Sequence, residues 1–107
     1  MAAQLLIESQ GPASDGESRF LRAAGHLAAT GSSTVVFLTD DGVTSALAFQ
    51  SAEVDRVVRA GASVWADQVS LTERDIQADQ LASGVVPTDL DKITPLLFAP
   101  DVKVVWH

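Results

Sequence analysis

Apolar residues fall along the chain in short runs, and polar stretches of helical spacing separate them. Gln4–Ser9 (QLLIES) predicts a first strand buried on both faces. The loop Gln10–Gly16 (QGPASDG) is dense in Gly, Pro, Ser and Asp, and a helix follows from Glu17 to about Thr30. In it Phe20, Leu21, Ala24, Leu27 and Ala28 form one apolar face. Glu17 suits the helix dipole and Gly31 is a stop signal. Ser33–Thr39 (STVVFLT) predicts the second strand, closed by a turn at Asp40-Asp41-Gly42. Val43–Phe49 reads as a short helix. Ser51 is placed to cap a second one, Ala52–Ala60, which Gly61 ends. Ala62–Ala66 predicts the third strand and Ser70–Asp75 a short helix. In Gln77–Val86 neither period dominates, and Gly84–Val86 is the stretch that reads as a strand. Pro87-Thr88-Asp89 then predicts a helix to about Phe98, with Pro95 inside it to kink it or shift its start. Val102–Trp106 (VKVVW) predicts the last strand.

Strands alternating with helices over short connections imply βαβ units, with parallel strands and helices on both faces. The expected architecture is a three-layer α/β/α sandwich with a mainly parallel sheet of about five strands. At 107 residues, the chain suits a single domain spanning residues 1–107 with a real core.

Composition narrows the function. The 47% hydrophobic and 20% charged content is that of an ordinary globular protein. No apolar run approaches the ~20 residues that span a membrane. The start MAAQLLIES lacks a signal peptide's basic and apolar regions, so cytoplasmic residence is expected. Net charge is −7, and the two lysines, Lys92 and Lys103, do not cluster with the scattered arginines. That disfavours nucleic acid and anionic membrane surfaces as partners. The chain contains no cysteine. Disulfides, thiolate metal sites, iron–sulfur clusters and thiol nucleophiles are therefore excluded.

Several segments together resemble the DsrE/DsrF/DsrH-like sulfur-relay family. The first strand leads into Gly11-Pro12 and acidic residues, like that family's G-P-E-D loop. Asp41-Gly42-Val43 after the second strand is like its D-G-V segment. The third strand ends, in ASVWADQVSLTERDI (Ala62–Ile76), where the family often carries cysteine, and Leu71, Arg74 and Ile76 follow at similar spacing. The resemblance covers nearly the whole chain through short motifs. It implies a five-stranded parallel sheet and small homo- or hetero-oligomers, commonly trimers or hexamers, with a cysteine-bearing paralogue as one partner. Active members pass a persulfide between cysteines, which needs a polarisable thiolate. Asp67 stands at that position here, and neither Asp67 nor Ser70 can hold a sulfane sulfur. The relay chemistry does not transfer with the fold.

Candidate site residues gather at the carboxyl ends of the strands, where α/β proteins bind ligands. Asp67, Asp40, Asp41 and the loop at Gly11 would share one edge, with Glu8 close by. Together they would make an acidic mouth for a cation or polar ligand, or carboxyls that transfer protons. The competing expectation is that Asp67 caps the following helix and Asp40 or Asp41 forms an Asx-turn. Arg74 is placed to pair with Asp67 or Asp75, or to orient a ligand carboxylate. The loop GPASDG lacks G-x-G-x-x-G and the P-loop lysine, and Asp15 and Glu17 would repel an anion. Adjacent aspartates at 40 and 41 are a hard-cation pattern, but no EF-hand spacing or His cluster accompanies them. No cofactor or metal is therefore expected. His26 and His107 have no serine or carboxylate partner by motif and read as surface or boundary residues.

Trp65 and Trp106 lie in predicted strands, where core packing competes with burial in a subunit interface. The apolar helices Val43–Phe49 and Ile93–Phe98 leave little polar face for solvent, which favours an oligomer. The expectation is thus a non-catalytic, oligomeric binding or scaffold subunit that cannot carry a persulfide itself. The rival is a small-molecule enzyme using Asp67, Asp40 and Asp41 as acid and base.

Overall fold

In the computed structural model, which describes residues 3–14 and 16–107, the five apolar runs become five strands. Strand β1 (Ala3–Glu8) leads to helix α1 (Glu17–Ala29), then β2 (Ser33–Leu38) and a 3-10 turn at Asp40–Ala46. Helix α2 (Ala52–Arg59), strand β3 (Ser63–Asp67) and the short helix α3 (Gln68–Glu73) follow. A second 3-10 turn (Ala78–Gln80) precedes β4 (Val85–Thr88), α4 (Leu90–Phe98) and β5 (Val102–Trp106).

The sheet order is β4-β3-β2-β1-β5, and every pairing is parallel. The register sets Glu8 beside Leu38 and Ile7 beside Trp106, so strand ends two elements apart finish at one edge. Helices lie on both faces. Leu21, Ala24, Val54, Val57 and Leu71 from α1, α2 and α3 bury Leu6, Val36, Leu38, Val64 and Ala66. On the opposite face Ile93 of α4 packs against Leu5, Ile7 and Phe37. Burial on both faces explains why the central strands read as continuous apolar runs rather than alternating ones. Among the described residues, no helix is long and apolar enough to cross a membrane.

Local signals account for most of the element ends. Ser51 caps α2, its hydroxyl accepting from the Val54 N–H at 3.3 Å. Two expectations are corrected. The predicted helix Val43–Phe49 is a 3-10 turn that ends at Ala46. The chain is then drawn out by an antiparallel bridge between Leu47 and Leu81 and by the Ala82 N–H bonding to the Ala46 carbonyl. The fourth strand runs through Pro87-Thr88, where a helix start was expected. As an edge strand β4 tolerates a residue without an N–H. Helix α4 starts at Leu90, and Pro95 lies within it.

Candidate functional site

Strand β3 ends on Asp67, beside the end of β2, and its side chain is buried there. Its Oδ2 accepts two hydrogen bonds, from the Ser70 hydroxyl at 2.6 Å and the Thr39 hydroxyl at 3.1 Å. The Ser70 oxygen in turn accepts from the Asp40 N–H at 2.9 Å. Serine has one hydroxyl proton, so this arrangement is fully used: Ser70 donates to Asp67 and accepts from the backbone. The second carboxylate oxygen, Asp67 Oδ1, is buried with no hydrogen-bond partner among the described residues. An unpaired buried acceptor costs about 1–3 kcal/mol. Asp67 occupies the N-cap position of α3 but makes no capping bond, which corrects the capping expectation. The carboxylate is turned to the Thr39 and Ser70 hydroxyls, so it is not available to the first helical N–H groups.

Arg74 pairs with neither Asp67 nor Asp75. Its Nη2 donates to Asp41 Oδ1 at 2.9 Å, and its Nη1 reaches back to the Ser70 carbonyl at 3.3 Å. Asp67 faces inward and is already engaged, whereas Asp41 on the 3-10 turn is exposed and in reach. Gly11 sits against the same turn. A Cβ there would come within 2.7 Å of the Thr44 hydroxyl and 3.1 Å of the Asp41 carbonyl oxygen. Gly11, Asp41, Thr44 and Gln50 line an open polar cleft of about 580 Å³. Asp40 enters through its backbone, which adopts φ 49. The five sequence candidates are thus brought to one edge: Ser70 bonds to Asp67, Asp40 and Arg74, Arg74 links Asp41, and Gly11 packs against the Asp41 turn. They do not form a carboxyl pair: among the described residues Asp67 contacts hydroxyls while Asp41 contacts a guanidinium. Asp15, counted against an anion in this loop, lies outside the described residues.

The closest coupling of titratable groups at this edge lies elsewhere. Glu8, wholly buried at the end of β1, brings both carboxylate oxygens to Nδ1 of His107, at 2.7 and 2.9 Å. The imidazole stacks on Phe20 with ring centroids 5.1 Å apart. A Cβ on Gly16 would fall 2.5 Å from Nε2, so the ring needs glycine there. Ser9 fixes the backbone, its hydroxyl donating to the His107 carbonyl at 2.8 Å. Burial pushes the Glu8 carboxyl above its ordinary value, the His107 hydrogen bond and charge oppose this, and nearby Glu17 adds to it. Glu17 is also buried and accepts a hydrogen bond from the buried Ser45 hydroxyl. The expectation that His107 has no carboxylate partner is therefore corrected. The partners are 99 positions apart and meet because β1 and β5 pair.

On the opposite face the strand ends and α4 enclose a small apolar cleft of about 160 Å³, walled by Ile7, Phe37, Ile93, Leu97 and Trp106. Thr39 and Asp40 stand at its polar end. Trp106, Leu90 and Leu97 remain largely exposed around it.

The fold has solved counterparts. The chain is similar to the crystal structure of the ychN protein from E. coli, with a TM-score of 0.83 and 20% identity, over 98% of this chain and 100% of that one. It is also similar to MTH1491, a protein of unknown function from Methanobacterium thermoautotrophicum (TM-score 0.73, 15% identity, 98% and 99% covered). A third counterpart is BT1422, a conserved protein of unknown function from Bacteroides thetaiotaomicron (TM-score 0.73, 13% identity, 95% and 94% covered). No protein-family model matches the sequence, and no curated protein matches it. At this level of identity the likeness establishes the α/β fold with its five-stranded parallel sheet.

Proposed function

We propose that the chain is a non-catalytic binding or scaffold subunit of the DsrE-like kind, working in the cytosol. It would assemble with copies of itself, as a trimer or hexamer, and take a small polar ligand at the strand-end edge. The observation that carries this is the incomplete cover of one sheet face. Among the described residues a single nine-residue helix, α4, packs on that face of a five-stranded sheet. Val86, Leu90, Leu97, Phe98 and Trp106 are left exposed around it. Apolar groups of this size gathered on one face favour burial against a partner. A second copy suits the surface because its border carries both signs. The chain's two lysines, Lys92 and Lys103, lie on α4 and the edge strand β5, with Asp89, Asp91 and Asp101 nearby, in a chain of net charge −7. Opposite charges bordering the patch can pair with those of a neighbouring copy across the contact.

For the ligand, support comes from the unpaired Asp67 oxygen and the polar cleft at Gly11 and Asp41. Sulfur transfer is outside the reach of a chain with no thiol, so a relay role would need a cysteine-bearing paralogue in the assembly. Light scattering on the purified protein tests the assembly. A mass three or six times 11.2 kDa is expected, and an 11.2 kDa monomer at micromolar concentration overturns the proposal. Co-expression with a cysteine-bearing paralogue separates a homo-oligomer from a mixed one.

A further inference from the structure

Phe49 is the least explained residue in the protomer. It is wholly exposed, so it buries nothing against its own chain. It also holds φ 69. It stands third in a turn closed by the Gln50 N–H bonding to the Leu47 carbonyl at 3.1 Å. That position with positive φ favours glycine or asparagine, and a bulky side chain there is an outlier. The turn is not loose. The Ala48 N–H bonds to the Gln80 carbonyl at 3.0 Å, the Ala82 N–H bonds to the Ala46 carbonyl at 2.8 Å, and Leu47 bridges Leu81. The fold therefore fixes an aromatic ring in solvent, on a backbone strained to place it. Nothing among the described residues recovers either cost.

We propose that Phe49 of one copy seats in the apolar cleft of a second copy, between α4 and the ends of β1, β2 and β5. The size fits: the cleft holds about 160 Å³, and a cavity of ~150 Å³ lined by aliphatic and aromatic side chains accepts benzene. The chemistry fits as well. Ile7, Ile93 and Leu97 provide aliphatic walls, while Phe37 and Trp106 offer aromatic faces for an offset or edge contact. Buried aromatic anchors in such pockets carry a large share of interface energy. Knob and cleft are different patches of one surface, so in a trimer the contact runs head to tail around a closed ring. The polar cleft, which Gln50 lines beside Phe49, then borders the interface, close to the partner's Thr39 and Asp40. This inference rests on the self-assembly proposed above.

The test compares the full chain with Phe49→Ala, and adds a photocrosslinking azidophenylalanine at position 49. Phe49 is exposed, so Phe49→Ala leaves the protomer folded, which circular dichroism checks. The expected result is an oligomer for the unaltered chain and association weakened on the order of 30-fold in Phe49→Ala. Crosslinks should map to Leu90–Leu97 or Trp106 of a second chain. An oligomer that Phe49→Ala leaves unchanged, or crosslinks mapping elsewhere, overturns this inference while the assembly itself stands. A monomeric unaltered chain overturns both.

Discussion

Glu8, with no solvent exposure, holds Nδ1 of His107 between its two carboxylate oxygens at 2.7 and 2.9 Å, across 99 positions of sequence. The pair ties the end of β1 to the residue after β5, on the sheet face that carries α1. Burial makes the native state hold the Glu8 proton more tightly than the unfolded chain does, despite the opposing pull of His107. From the ordinary value near 4.5 up to the raised native one, folding takes up a proton. The contribution of Glu8 to stability is therefore fully present below that window and is lost as pH rises through it. Glu8→Gln keeps an acceptor for the Nδ1 proton and removes the titration. Urea denaturation at a series of pH values should give a shallower decline for Glu8→Gln than for the unaltered chain, and parallel curves would contradict the assignment. Glu8→Ala strips His107 of its partner and opens a void, at a cost of about 3 kcal/mol.

Gly42 predicts a sharper defect. A Cβ there would lie 2.2 Å from the carbonyl oxygen of Glu8 and 3.0 Å from its carbon. That carbonyl also accepts the Thr39 N–H at 3.0 Å, so the backbone has no freedom to retreat. Gly42→Ala should cost about 3 kcal/mol or more. Gly31 is the control: its φ of 91 strains an alanine, yet nothing stands within 4 Å, so Gly31→Ala should lose only about 1–2 kcal/mol. Thermal melts of the two variants give the comparison, and equal losses would show that the close approach to Glu8 is not tight.

The strands were legible because each central one is buried on both faces and reads as an apolar run. Val102–Trp106 is predicted to the residue, and the alternation of strands with helices follows from the period of the apolar positions. Strand β4 was legible only in its first half, where Gly84–Val86 reads as a strand; Pro87-Thr88 read as a helix start, because only the place at the sheet edge makes a proline acceptable in a strand. At the site, the position of Asp67 at the carboxyl end of β3 was legible, since the apolar run of the strand stops there. What it bonds to was not, because Ser70 satisfies the carboxylate that was expected to cap the helix. The Glu8–His107 pair left no local trace: its partners share no helix, strand or motif, and they meet only once β5 is placed beside β1. Phe49 was read as part of an apolar helix, and the Leu47–Leu81 bridge that pulls it out of one is likewise a contact of distant segments.

Arg74 and Asp41 make an ion pair at 2.9 Å, with the aspartate mostly in solvent. Pairs of this kind contribute about 0–1 kcal/mol and weaken with salt. Asp41→Asn should therefore lower stability by less than about 1 kcal/mol, with the difference fading in molar salt. Arg74→Ala should cost somewhat more, because its guanidinium also donates to the Ser70 carbonyl. Denaturant melts at low and high salt distinguish the two contributions. A loss for Asp41→Asn that persisted at high salt would give the pair a structural weight its exposure does not suggest.

Asp67 has one oxygen engaged by two hydroxyls and the other buried and unpaired. The engaged oxygen ties the strand end to Thr39 and Ser70; in the proposed binding role a ligand would donate to the unpaired one, and two substitutions separate the two. Asp67→Ala removes both and leaves the Thr39 and Ser70 hydroxyls to find other partners, at about 1–2 kcal/mol, without dissolving the sheet or the assembly. Asp67→Asn can keep the amide oxygen toward the two hydroxyls and turn an NH₂ group to where the unpaired oxygen was. A ligand that donates a hydrogen bond to that oxygen would then meet a second donor. A thermal-shift panel of small hydroxyl- and amino-bearing compounds should show stabilised melts for the unaltered chain that both variants lose, while Asp67→Asn keeps the mass of the assembly. Hits that survive in both variants would remove Asp67 from the binding edge, and the candidate site would shrink to the cleft at Gly11 and Asp41.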